Sequence, residues 1–289
     1  MNTTQKTLII IALAAVAGLY FLGDTVGKKP AAAATEANHD DHDDHGLDFE
    51  KMKQTVFSQL STDRQQYISG LENSVKRGDV KAQQIEAFQR LSAFWKDSVQ
   101  NPVLHYDYAA QASELDNSEK SLTFAAHSIL AYLPYAHNQE EQVWLANRGK
   151  QLFDKALAIN PSNDSTNVGV GGCIIYGATS TEGPMAGIMK VRAVAEKDST
   201  NLFAQYMLGV GGVVSGQYDK AALRFERVVK GQPDNLEVMF KLAEAYEMAN
   251  QTDKAIACYE TIEKKVDVPE MKMEIKKRIE QLKASSVGK

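Results

Sequence analysis

The sequence predicts an all-α protein: a right-handed α-solenoid of antiparallel helix pairs, preceded by one transmembrane helix and a flexible linker. Three observations carry this. Beyond Leu47 the 289-residue chain is a succession of amphipathic helical stretches divided by Gly, Pro, Asn and Asp, with no sustained alternation of strand type. Within that part, small residues at Gly149, Gly187, Ala221 and Ala255 are each followed four positions later by a bulky one, Phe153, Val191, Phe225 and Tyr259, at intervals of 38, 34 and 34. Ahead of it, Thr7 to Gly23 carries no charge.

That apolar run, TLIIIALAAVAGLYFLG, would reach about 26 Å as a helix, toward the short end of what crosses a hydrocarbon core. Lys6 at one end and Tyr20 and Phe21 near the other suit a single crossing, so residues 1–23 read as an amino-terminal membrane anchor. A cleaved signal peptide is the competing reading, because a basic residue, an apolar stretch and Ala31 to Ala34 follow in the expected order. The length of the run, and the placing of the alanines past Asp24, Lys28 and Lys29, favour retention. Lys6 is balanced by Lys28 and Lys29 across the span, so charge does not set the orientation. The short tail before the span is the layout of a signal anchor, which places the body outside the cytoplasm: a single-pass inner-membrane protein with a periplasmic carboxyl-terminal domain.

Residues 24–46 shift to Ala, Lys, Asp and His without apolar periodicity and cannot bury a core, so they read as a disordered linker. Residues 1–49 hold three Lys against seven acidic residues, most of the chain's formal charge of −5. The remainder is nearly neutral and offers no electrostatic footprint for nucleic acid. Within the linker His39, His42 and His45 are separated by pairs of aspartates, a donor set competent for zinc, copper or nickel. Ordering the segment around an ion costs conformational entropy, so the choice lies between a solvated acidic spacer and a weak metal site.

Residues 47–115 read as helices with a faint repeat motif, 116–268 as the repeats proper, and 269–289 as an amphipathic capping helix and tail that closes the array. Small and bulky residues four apart share a helical face, so a neighbouring helix can approach over the small one and rest on the bulky one. The partner helices keep the same spacing, with Val170-Gly171, Leu208-Gly209 and Leu242-Ala243. Here the chain resembles the tetratricopeptide repeat, whose pattern puts a Leu-Gly pair in the first helix, Ala-x-x-x-Phe in the second and Pro at the close. Pro161 and Pro233 fill the closing place, and the cleanest unit runs from Leu202 to Asn235, followed by Leu236 to about Val268. Asn167, Gln205 and Met239 depart from the early aromatic of the pattern, and the extra residues of the 38-residue interval fit the turn Thr179 to Pro184.

The resemblance implies a concave groove lined by the first helix of each pair, and with it a scaffold that binds partner proteins or peptides. Its lining would be Val168, Gly172, Ile175 and Tyr176, then Phe203, Tyr206, Val210 and Val213, then Phe240, Glu244 and Glu247: apolar in the middle and acidic at the far end. The family's clamp for a peptide's terminal carboxylate needs Lys, Arg and Asn, and these positions hold none of them. An apolar groove would instead take an amphipathic helix or extended hydrophobic segment, unless the chain's own amino-terminal helices cover it.

Two Gly-Val-Gly-Gly clusters, at 169–172 and 209–212, follow no strand and lack the Gly-Lys-Ser/Thr of a phosphate loop, so close helix packing explains them. No catalytic constellation stands out. His105, His127 and His137 lack partners at ligand spacing, and Cys173 has no activating neighbour in sequence. The chain is therefore expected to be a membrane-tethered scaffold rather than an enzyme, without cofactor. One span followed by helical repeats is similar to the layout of accessory subunits of the Sec translocon and envelope chaperones, which implies a partner complex for export or assembly. A metal-handling envelope protein using the His/Asp linker, and an enzyme with an unrecognised site, are the alternatives.

Overall fold

The computed structural model describes residues 47–77, 80–177 and 183–287, and among these every regular element is helical. Among the described residues thirteen α-helices follow one another: α1 (Phe49–Ser58), α2 (Thr62–Arg77), α3 (Lys81–Phe94), α4 (Pro102–Asp116), α5 (Glu119–Tyr132), α6 (Gln139–Ile159), α7 (Asp164–Tyr176), α8 (Gly183–Lys197), α9 (Leu202–Val214), α10 (Tyr218–Gly231), α11 (Leu236–Met248), α12 (Thr252–Lys265) and α13 (Pro269–Val287). A π-helical turn, Trp95–Val99, extends α3. The predicted span and linker, with His39, His42 and His45, lie outside the described residues. Among the described residues no helix is long and apolar enough to cross a membrane.

The chain forms two compact units, one of residues 44–216 and the other built on 217–289. The division falls inside the stretch that the sequence marks as its cleanest repeat.

In the first unit asparagines start four of the helices. Asn101, Asn138, Asn163 and Asn201 each accept a hydrogen bond from the amide three residues on, at 2.9, 2.8, 3.0 and 3.0 Å, satisfying donors that a helix start leaves orphaned. Gln100 and Asn117 adopt left-handed backbone (φ 59° and 57°) and end the preceding helical segments. From α2 to α9 consecutive helices pack on one another, and α4 with α6, α5 with α7 and α7 with α9 pack one pair further on, which is the nesting of a helix-pair array.

Glycines set how closely they nest. Phe153 of α6 presses its ring onto Gly169 of α7, where an added Cβ would overlap it, and a Cβ at Gly149 would lie 3.1 Å from Cys173. At the α7–α8 crossing the backbones themselves meet. A Cβ on Gly171 would sit 2.8 Å from the Gly187 carbonyl oxygen, and one on Gly187 would overlap the Gly171 carbonyl.

Between α4 and α6 lies an ionic clamp. Arg148 reaches Asp107 at 3.0 Å and forks onto both oxygens of Glu114 at 2.9 and 2.8 Å, while Lys155 adds a 2.7 Å contact to Glu114. Burial alone would raise the Glu114 pKa, but Arg148 and Lys155 outweigh it and hold the carboxyl below its ordinary range.

In the second unit α10 packs on α11, α11 on α12 and α12 on α13. Its core joins Met239, Ala243, Tyr259 and Ile262 to Met271, Ile275 and Ile279 of α13. Asn235 caps α11 through the Val238 amide at 3.2 Å, repeating the device of the first unit.

Candidate functional site

Of the eleven positions that the sequence reading assigns to a groove, four are buried and seven half-buried. Val168, Gly172, Ile175 and Val210 are buried within the first unit. Gly172 is the reason: a Cβ there would meet Met207 at 2.9 Å and Leu130 at 3.0 Å, so α9 and α5 close over α7 where a side chain would have held them off. Tyr176, Phe203, Tyr206 and Val213 are half-buried. Phe203 packs against the core formed by α5, α6 and α7, with its ring 5.5 Å from that of His127.

The acidic positions lie in the second unit and are answered from within it. Glu247 accepts from Tyr259 Oη at 2.6 Å and from Arg278 of α13, whose guanidinium touches both oxygens. Glu244 is half-buried, and that burial raises its carboxyl pKa. Phe240 packs on the same core, 6.5 Å from the Tyr259 ring.

An open recess lies elsewhere, at the amino-terminal end of the array. It encloses about 690 Å³ between α3, α4 and α5. Its floor is small, with Ala109, Ala112 and Ser113 from α4, and α5 lines one wall with Ser121, Phe124 and Ser128. Phe124 stands 75% exposed there, the most exposed large apolar residue described in the chain. Small floor residues leave room for a ligand, and an exposed aromatic at the rim gives it an anchor.

A polar knot holds the opposite wall. Ser92 Oγ donates to the His105 carbonyl at 3.0 Å, and His105 Nδ1 lies 3.0 Å from the Ser92 carbonyl and 2.8 Å from Ser92 Oγ. Both neighbours of Nδ1 are acceptors, so the proton sits on Nδ1 and Nε2 keeps its lone pair. Burial lowers the His105 pKa, against the opposing pull of the Ser92 carbonyl. With its hydroxyl proton spent on a carbonyl, Ser92 is not poised as a nucleophile. The knot fixes α3 against α4 and so sets the width of the recess.

A shallower recess of about 510 Å³ adjoins it across α3, sharing Ala93 and Asp97, with Tyr67 and Phe94 as its aromatic walls. Arg90 lies over the Tyr67 ring at 5.9 Å. The π-turn, which carries Lys96, Asp97 and Ser98, stands between the two.

The other reactive residue types are absorbed by structure. His127 sits edge-on to Phe153, with its pKa lowered by burial, and His137 pairs with Glu141 at 3.0 Å. Cys173 is buried and its thiol is driven far up by burial, while Cys258 is half-buried and pushed up to about 11. Among the described residues no cluster of three or more His, Cys, Asp or Glu could hold a metal ion. The sequence reading missed the α3–α5 recess, although the 3–4 spacing of Ser121, Phe124 and Ser128 on one helical face was available to it.

A sequence profile described as tetratricopeptide repeat matches residues 215–273, which hold α10 to α12 and the start of α13. No curated protein matches the chain significantly. Among solved structures the MamA protein is 15% identical with a TM-score of 0.40, covering 63% of this chain and 91% of that one. A MamA fragment from Desulfovibrio magneticus RS-1 is 15% identical with a TM-score of 0.41, covering 63% and 94%. YrrB, described as a TPR protein with an unusual peptide-binding site, is 16% identical with a TM-score of 0.39, covering 71% and 96%. None of these scores reaches 0.5, so the assignment rests on the matched profile and on the nested helix pairs. On that ground residues 215–273 are a tetratricopeptide-repeat region.

Proposed function

We propose that this protein is a scaffold, tethered to a membrane by residues 1–23, that holds a segment of a partner protein in the recess between α3 and α5 as part of an envelope export or assembly complex. The observation that carries the reading is the recess itself: about 690 Å³ of open space with a floor of alanine and serine and a rim bearing Phe124. Helix-pair arrays present such surfaces because each pair buries one face against its neighbours and leaves another to the ligand. Burying an exposed Phe contributes about 1.5–3 kcal/mol, so Phe124 alone would govern tenfold or more in affinity. The uncharged run at 7–23 supports the tether, and the near-neutral body supports a protein partner over nucleic acid.

The test places a photo-crosslinking amino acid at Ser128 in the full chain, with and without Phe124→Glu. Crosslinked partners are then identified from native membranes. The expected result is a discrete set of envelope proteins that the Glu variant loses. An identical set from both forms would remove the recess from the argument. Release of the chain from membranes by alkaline carbonate would remove the tether.

A further inference from the structure

Helix α1 is seated unlike the rest of the fold. None of its residues is fully buried, whereas every other described α-helix contributes buried residues to a core. It lies on one stripe, with Phe49, Met52, Val56 and Phe57 packed half-buried against the cluster of Leu91, Trp95, Leu104 and Tyr108. These positions are i, i+3, i+7 and i+8, the face by which an amphipathic helix enters a groove.

The seat has specific receptors along its length. At one end the Phe49 ring stacks on Trp144 of α6, with centroids 4.9 Å apart and planes within 4°. One turn on, Lys53 pairs with Glu72 of α2 at 2.9 Å and lies over the Tyr108 ring at 5.3 Å. Tyr108 in turn donates to Glu72 at 2.5 Å, fixing that carboxylate where the ammonium arrives. Asn101 reaches Met52 Sδ at 3.7 Å, and Gln65 holds the far end through the carbonyls of Phe57 and Leu60 at 3.1 and 3.0 Å. An aromatic slot, an anionic receptor four residues on and an apolar bed for positions seven and eight define a direction and a register. They do not depend on the helix being covalently attached.

We infer that the seat of α1 is a helix-binding groove, occupied at rest by α1 and entered by a partner's amphipathic helix that carries the same stripe: an aromatic residue, Lys or Arg four positions later, and apolar residues at seven and eight. This site is separate from the α3–α5 recess and does not rest on the reading given to it. Because α1 is tethered it competes at high effective concentration, so it screens out helices that lack the aromatic or the basic anchor. Aromatic and cation–π anchors of this kind dominate interface energetics, and a resident helix with no fully buried residue of its own is the element most readily exchanged from its seat.

The test uses the full chain and a fluorescein-labelled synthetic peptide of residues 47–60. Phe49→Glu removes the aromatic anchor and Lys53→Glu reverses the basic one. Either variant unlatches α1 while leaving the core residues untouched. The peptide is expected to bind both variants at least about tenfold more tightly than the unaltered chain, and a scrambled peptide to bind none of them. The chain has two tryptophans, Trp144 stacked on Phe49 and Trp95 in the cluster beneath the stripe, so unlatching should shift the emission to the red while circular dichroism confirms the fold. Adding the peptide should reverse the shift. Equal binding to all three proteins, or no binding to either variant when circular dichroism shows it folded, would overturn the inference.

Discussion

Replacing Gly187 by alanine should weaken the first unit, although alanine favours a helix interior by about 1 kcal/mol over glycine. The new Cβ would overlap the Gly171 carbonyl oxygen and stand 2.9 Å from the Ile175 amide nitrogen. Both obstacles are backbone, so no rotamer change relieves them. The α7–α8 crossing would have to open by about 1 Å, losing contact along both helices at the usual cost of overpacking, about 1–3 kcal/mol, and here near the upper end. The net effect is a loss of about 2 kcal/mol. Gly70 supplies the control, since it lies inside α2 with nothing within 4 Å of an added Cβ, and Gly70→Ala should gain up to about 1 kcal/mol. Urea unfolding followed by tryptophan emission reads the first unit alone, because Trp95 and Trp144 both belong to it. With a slope of about 2 kcal/mol per molar, the midpoints should move about 1 M down and about 0.5 M up. A Gly187→Ala midpoint at or above that of the unaltered chain would refute the claim that the two backbones meet there.

Three further outcomes follow from the packing. Arg148→Ala should cost about 3 kcal/mol by leaving Asp107 without its cation and Glu114 with Lys155 alone; Arg148→Lys should recover only part, since Lys lacks the fork, and both are read by the same urea titration. Asn201→Ala should cost about 1 kcal/mol by uncapping α9 while Asn201→Asp costs little, with hydrogen exchange of the Ala204 amide rising only in the first. Burial lowers the folded-state pKa values of His105 and His127, so below about pH 6.5 the unfolded chain takes up protons that the folded chain refuses; stability should fall on acidification from pH 7 to 5, and His105→Gln should flatten that slope in urea midpoints measured across the range.

The helix pairs were legible because their signal is local. A small residue and a bulky one four apart share a face whatever surrounds them, and Gly149 with Phe153 does meet the next helix as that spacing implies. The asparagines at 163, 201 and 235 mark the same period, at intervals of 38 and 34, and were available to a reading that attended to helix starts. The groove was not legible in the same way. Whether Val168 or Val210 faces solvent depends on Leu130 and Met207 closing over Gly172, contacts that join residues tens of positions apart. Apolar residues at helical spacing are compatible with either outcome. The recess beside Phe124 lies where the repeat motif is faint, so family resemblance gave no reason to look there.

The two thiols have a practical consequence. Cys173 belongs to the first unit and Cys258 to the second, and burial suppresses the thiolate of each. Native protein at neutral pH should ignore maleimides, so an engineered surface cysteine can carry a dye or spin label with the natural pair left in place. Once either unit melts its own sulfur becomes reactive. Alkylation mapped by peptide mass then timestamps each melting event independently, on one molecule and without any added probe.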